Sequence, residues 1–287
     1  MTTPASAPFQ PPQQQPPLPH RAPSYVSPIP VTDAHLGHAI ASEWTKIKSL
    51  RSTMWTLGVL ILLVFGIGLL TTVAVSSSGS TMNGTPVLSM GFFGVLLGSM
   101  CVITLGVLTV ASEYGTGMIR TTLTACPSRA RVLTAKAIVF FLLAFVILLV
   151  TTTLVAMFQY AVLQGTGARQ PDAAGWILAT VGVSLHVAVL GLLSLAVGSL
   201  IRHSAGAITV MLGVVLVPLV LALFMPQSLF SVREKLFEYS IPNQLSAFYS
   251  TSVSSTGPSG WEALCVLLGV TAVVFGGAVA ALNSRDV

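Results

Sequence analysis

Side chains capable of chemistry are scarce in this 287-residue chain, and nearly all of them stand at the ends of long apolar runs. His186 is the one titratable residue near the middle of such a run, with Ser184 and Ser194 nearby. A serine beside a histidine is the minimal nucleophile and base of an intramembrane hydrolase, but neither serine stands on a Gly-rich nucleophile turn. In so apolar a setting the expected role for His186 is a neutral imidazole hydrogen-bonded to a neighbouring helix rather than a proton relay. Asp33, His35 and His38 form a short Asp/His group without a complete metal-ligand set, and helix capping explains Asp33 better. ATP hydrolysis would need a G-x-x-x-x-G-K-[S/T] loop to hold the phosphates, and no Gly-Lys pair occurs anywhere. No catalytic residue, metal site or cofactor of its own is therefore expected, and the chain is not expected to be an enzyme. The most informative stretch is SEYGTGMIRTTLTACPSRARVLTAK, residues 112–136, which places Arg120, Arg129, Arg131 and Lys136 between two apolar runs. A basic loop of this kind belongs on the cytoplasmic side of a membrane protein.

The elements that must position these residues follow from composition. Charged residues are 7% of the chain, hydrophobic residues 53%, and mean hydropathy is +0.86. Soluble domains carry roughly 25% charged residues, so a large water-soluble core is excluded and an all-α polytopic membrane protein is expected. Crossing a hydrocarbon core takes about 20 mostly apolar helical residues. Six stretches qualify, approximately residues 54–75, 88–111, 137–162, 176–201, 206–225 and 261–282. On alternate sides of these spans lie ten Lys and Arg with the N-terminus and three opposite, Arg169, Arg233 and Lys235. Both termini are then expected in the cytoplasm and the chain in the cell membrane, its basic residues serving topology rather than nucleic acid. Glu262 and Lys136 stand at the mouths of spans, where each is expected to reach water. Cys101, Cys126 and Cys265 fall in apolar runs or the basic loop, so no disulfide framework is expected.

Ten prolines and a QQQ run in residues 1–30 predict a disordered Pro/Gln-rich tail over 1–32, and no signal peptide. From Asp33, residues Leu36, Ile40, Trp44, Ile47, Leu50 and Met54 recur at helical spacing with Ser42, Lys46 and Ser49 opposite. This pattern predicts an interfacial amphipathic helix over 33–53. Trp44 and Trp55 would anchor it at headgroup depth, while Lys46, Lys48 and Arg51 would face anionic lipid. The long loop at 226–260, opposite the basic loop, carries Leu229, Val232, Leu236 and Tyr239 at helical spacing and is expected at the outer surface. Gly91, Gly94 and Gly98 share one face of the second span and predict close helix approach.

The sequence from about residue 33 to 287 resembles the six-span permease subunits of ABC exporters of the type-2 class, actinobacterial ones above all. The matching residues are Glu113 closing the second span, Gly117, the helical stretch Ile119 to Ala125 with Leu123, Pro127 with Arg129 and Arg131, and Lys136 opening the third. EWTKIKSLRSTMWTL, with Glu43, Trp44, Lys46, Lys48 and Arg51, resembles the family's interfacial helix. Met118 departs from the Thr common after the loop glycine. The resemblance implies that the basic loop contains a coupling helix docking on a separate ATPase subunit, which binds ATP and Mg. It further implies pairing with a second copy or a similar permease, near small-residue and hydroxyl-bearing faces of the second and fifth spans. Pro127 would separate a short helix from the one that follows, leaving Arg120, Arg129 and Arg131 to meet an acidic partner, with lipid phosphates as the alternative contact. An ion-coupled secondary transporter is the alternative of a different class, and an intramembrane hydrolase a further one. The apolar lining leaves the substrate open.

Overall fold

A computed structural model describes residues 35–79, 81–126, 128–251, 257–258 and 260–284. The expected tail over 1–32, Asp33, Pro127 and Arg285 lie outside the described residues. Among those described there is no β-strand, only a single isolated bridge between Pro86 and Arg169. The protein is all-α, with six helices long and apolar enough to cross a membrane.

Helix α1 (Leu36–Ser49) is followed by α2 (Arg51–Ser77), the first span. The amphipathic helix was expected to run to residue 53, but Leu50 adopts an extended backbone with φ −83° and ψ 110° and divides the two helices there. Its N-cap is His35 rather than Asp33, without a side-chain capping bond. The second span is a 3₁₀ turn (Val87–Gly91) running into α3 (Phe92–Thr116). After the short α4 (Met118–Ala125), α5 (Arg129–Val162) is the third span. The fourth comprises α6 (Ala173–Ile177), one π-helical turn (Leu178–Gly182) and α7 (Val183–Ile201). α8 (Ser204–Phe224) is the fifth, carrying Pro218 within it, and α11 (Trp261–Ser284) the sixth. Between them lie α9 (Phe230–Glu238) and α10 (Ile241–Ala247).

Span burial sets the layout. The most apolar window of the fourth span is 72% buried, whereas those of α2 and α8 are 22%. α7 is the central post, packed against α3, α5, α8 and α11. Close approach of α3 and α7 depends on glycine, since a Cβ on Gly106 would collide with the Gly191 carbonyl oxygen. The GFFGVLLG glycines divide: Gly94 and Gly98 face Val64 of α2, while Gly91 looks toward Tyr249 and Gln159. The outer faces of α2 and α11 expose Leu62, Leu70 and Val273. Large apolar side chains turned outward in this way suit lipid contact.

The 226–260 connection is two-natured. α9 leaves Leu229, Phe230, Val232 and Tyr239 exposed, as expected of a surface helix. The segment after it turns inward. Ile241, Leu245, Phe248 and Tyr249 are buried, and a Cβ on Gly182 of the π turn would lie 2.8 Å from Phe248 Cδ1. The Ser240 side chain caps α10 by accepting from the Asn243 N–H at 3.4 Å. Periodicity detects the exposed half because it alternates; the buried half is apolar and amide-rich on all sides, so it carries no stripe.

Candidate functional site: a buried charge cluster beside the basic loop

At the basic end, four charged side chains from three elements converge. Lys136, near the start of α5, places Nζ 2.7 Å from Glu43 Oε2 and 2.6 Å from Glu113 Oε1. Lys46 Nζ lies 2.8 Å from Glu43 Oε1 and 2.9 Å from Glu113 Oε1, and donates to Thr122 Oγ1 of α4 at 3.4 Å. Glu43, Glu113 and Lys136 are only 4%, 5% and 2% exposed, so water contributes little to their solvation. Two carboxylates and two ammonium groups cancel, which is the condition under which charges are tolerated out of water. Glu113 Oε2 has no hydrogen-bond partner among the described residues.

Burial alone pulls the pKa of Lys46 down, but hydrogen bonds and attraction from Glu43 and Glu113 outweigh it and raise the value above 10.5. A raised folded-state value means that this contribution to stability is complete below the unfolded pKa and is lost only as pH climbs through the folded one. The lysine is therefore charged at neutral pH.

Two expectations are corrected here. Lys136 does not reach water at the span mouth, and Lys46 does not face lipid. α1 turns Glu43 and Ile47 into the protein and leaves Leu36, Trp44 and Leu50 outward. The inward face carries the ion partners together with Ile47, while Leu36, Trp44 and Leu50 of the apolar stripe are free for the bilayer. Lys48 and Arg51 remain exposed, with Lys48 Nζ 4.9 Å above the Trp44 ring. Sequence spacing does not reveal the cluster, because Glu43 and Lys46, Glu113, and Lys136 stand in three segments far apart in the chain. The available signal was opposite charge at the margins of spans that are otherwise almost uncharged.

From this cluster α3 passes into α4 through Gly117, at φ 73°, a left-handed conformation that favours glycine. α4 then packs on α3 and α5. Ile119 is buried and Leu123 half-buried, while Met118, Arg120, Thr121 and Thr124 are exposed on the other side. A short helix with one anchored face and one open face thus lies directly on the ion cluster. Arg129 is not free to meet a partner as expected: Nη1 donates to the Leu282 carbonyl at 2.7 Å, near the end of α11. Arg131 is half-buried and also engaged. Beside them, the Arg202 guanidinium stacks 5.1 Å from the Tyr114 ring and ties the end of α7 to α3.

The other chemical candidates do not assemble. Ser184 donates to the Thr180 carbonyl at 2.7 Å and shares a 3.2 Å contact with Thr152; Ser194 donates to the Leu190 carbonyl. His186 is fully buried, but neither ring nitrogen has a hydrogen-bond partner among the described residues. The expected interhelical hydrogen bond is thus absent there, and the ring instead lies 5.3 Å from that of Phe248. Among the described residues no group of three or more His, Cys, Asp or Glu could hold a metal, and Asp33 lies outside them. No protein-family model and no curated protein matches the sequence.

Proposed function

We propose that this polytopic membrane protein is the permease subunit of an ATP-binding-cassette exporter, driven by a separate ATPase that docks on α4. The observation that carries the reading is mechanical. A short helix with an exposed face bearing Met118, Arg120 and Thr124 is joined through Thr122, Lys46, Glu43, Glu113 and Lys136 to α1, α3 and α5 together. Force applied to such a helix reaches two spans and the interfacial helix at once. Packed elements held by ion pairs shift as rigid bodies between discrete arrangements rather than deforming smoothly. The ATPase would hold ATP and Mg; this chain would supply the pathway.

A second copy, or a similar permease, would complete that pathway. The small-residue face of α3 is occupied within the chain by α2 and α7, so the second span is not where the partner sits in this proposal. α8 instead exposes Val210, Val214, Val217 and Leu221 along one helical stripe. Orientation belongs to the same proposal, with ten of thirteen Lys and Arg on the cytoplasmic side. In a cysteine-free background, Ser128→Cys should react with an impermeant maleimide only after cells are opened, whereas Ser228→Cys should react in intact cells. Labelling of Ser128→Cys in intact cells would invert the topology.

The docking assignment is tested at Arg120, since it is exposed on α4 while Arg129 has a structural bond to keep. Arg120→Glu in the tagged full chain should cut ATPase activity copurifying from solubilised membranes at least fivefold, because reversal adds repulsion against an acidic partner. Arg169→Glu, on the opposite side, should leave it unchanged. Equal copurification with both variants would remove the docking site from α4.

A further inference from the structure

Beside the charge cluster, α1, α2 and α3 enclose a cavity of about 350 Å³, open on one side. That volume lies within the roughly 300–1,000 Å³ of small-molecule sites. Its wall on α3 runs from Leu105 to Thr116, eleven residue steps or about 16 Å at helical rise, so it is an elongated slot reaching from the basic end into the apolar part of the span. Leu50, Leu105 and Leu108 line its length. The ion cluster forms its polar end.

The polar groups at that end are biased in one direction. Thr56, Thr109, Ser112 and Thr116 each donate their hydroxyl proton to a backbone carbonyl four residues earlier, at 2.9, 2.7, 2.6 and 2.9 Å. What they have left is lone pairs. Lys46 uses three donors and Lys136 two of its three. Glu113, also in the wall, has one carboxylate oxygen without a hydrogen-bond partner among the described residues while being only 5% exposed. An unsatisfied buried acceptor is costly, and a ligand that supplies a proton to it gains that energy back. Acceptors therefore outnumber the donors left over, which are one N–H of Lys136 and the hydroxyls of Ser52 and Thr53 near the mouth. Its ionic charges already cancel, so a head group with a net charge of either sign would bring a buried charge for which no counter-ion is left.

We propose that this slot binds an uncharged amphiphile, an alkyl body with a hydroxyl-bearing head, whose O–H groups bond Glu113 and the hydroxyl oxygens of α3 while the alkyl part lies along Leu105 and Leu108. The head would sit against the same cluster that holds α1 to α3 and α5, so occupancy bears directly on how those elements pack. As a loading site for transported cargo this rests on the permease reading. The binding does not, because no ATPase enters the measurement.

The full chain in phosphatidylcholine nanodiscs is titrated with radiolabelled 1-dodecylglycerol, with empty nanodiscs as background. One saturable molecule per chain is expected, with the dimethyl ether of the same compound, dodecanoate and dodecylamine each competing at least tenfold less well. Competition by unlabelled diacylglycerol would identify the occupant as a membrane lipid; failure of diacylglycerol to compete would identify a single-chain free compound. Thr109→Trp and Thr56→Trp, which fill the slot from two walls without touching the ion pairs, should each remove the saturable component. Equal competition by the dimethyl ether, or undiminished saturable binding in a Trp variant that elutes as the folded chain, would overturn the assignment. Such a failure leaves the Arg120 result untouched, and loss of the Arg120 effect leaves this binding untouched.

Discussion

Lys136→Met should unfold far more easily than the parent chain in phosphatidylcholine nanodiscs, by about 3–5 kcal/mol, the usual cost of stranding a buried charge. Methionine replaces the lysine stem with little change in volume, so the loss reports the ammonium rather than packing. Without it Glu43 and Glu113 share Lys46 alone, which is itself part-exposed, with 27% of its side chain open to solvent. Two carboxylates held around one ammonium repel, and neither can be rescued by water at 4% and 5% exposure. The double variant Glu113→Gln/Lys136→Met removes one charge of each sign and should recover most of the loss. Chemical unfolding followed by tryptophan fluorescence gives both numbers. A single-variant loss of about 1 kcal/mol or less, the scale of an exposed ion pair, would show that the cluster is solvated and holds nothing together.

Gly106→Ala should separate the two central helices. The added methyl would meet the Gly191 carbonyl oxygen, a backbone atom that cannot rotate aside as a side chain could. The expected loss is about 1–3 kcal/mol or more, against a helix-propensity gain of about 0.5–1 kcal/mol for leaving glycine. Gly276→Ala in α11 supplies the contrast, because apart from the adjoining backbone of its own helix no atom lies within 4 Å of the position where its Cβ would stand. That variant should be neutral or slightly stabilising. The comparison is read as folded yield and thermal unfolding of the two chains in identical nanodiscs. Equal stability of the two variants would mean that α3 and α7 do not approach closely at Gly106.

Both effects arise where distant segments meet, and neither position looks unusual by its neighbours in the chain. Lys136 stands among small and apolar residues in RVLTAKAIVF, and Gly106 is one of 25 glycines. The sequence by itself determined the six spans, because about 20 apolar residues without charge have only one stable form in a bilayer, a helix that satisfies its own backbone. It determined the short helix α4 as well, since Pro127 in the sequence cannot continue a helical hydrogen-bond ladder and so bounds a short helix before it. It also determined that α1 is amphipathic, but not which face meets the protein. A helical stripe records where apolar residues lie and says nothing of what lies opposite; here Glu43 and Ile47 turned inward together, Glu43 and Lys46 meeting the complementary charges of Lys136 and Glu113, while Ser42 and Ser49 stayed exposed. Tertiary structure alone decided that pairing, the engagement of Arg129 with the Leu282 carbonyl, and the inward turn of residues 241–249. Each depends on residues brought together from far apart in the chain, and in all three the energy comes from satisfying a polar group or filling a space that only the assembled bundle creates.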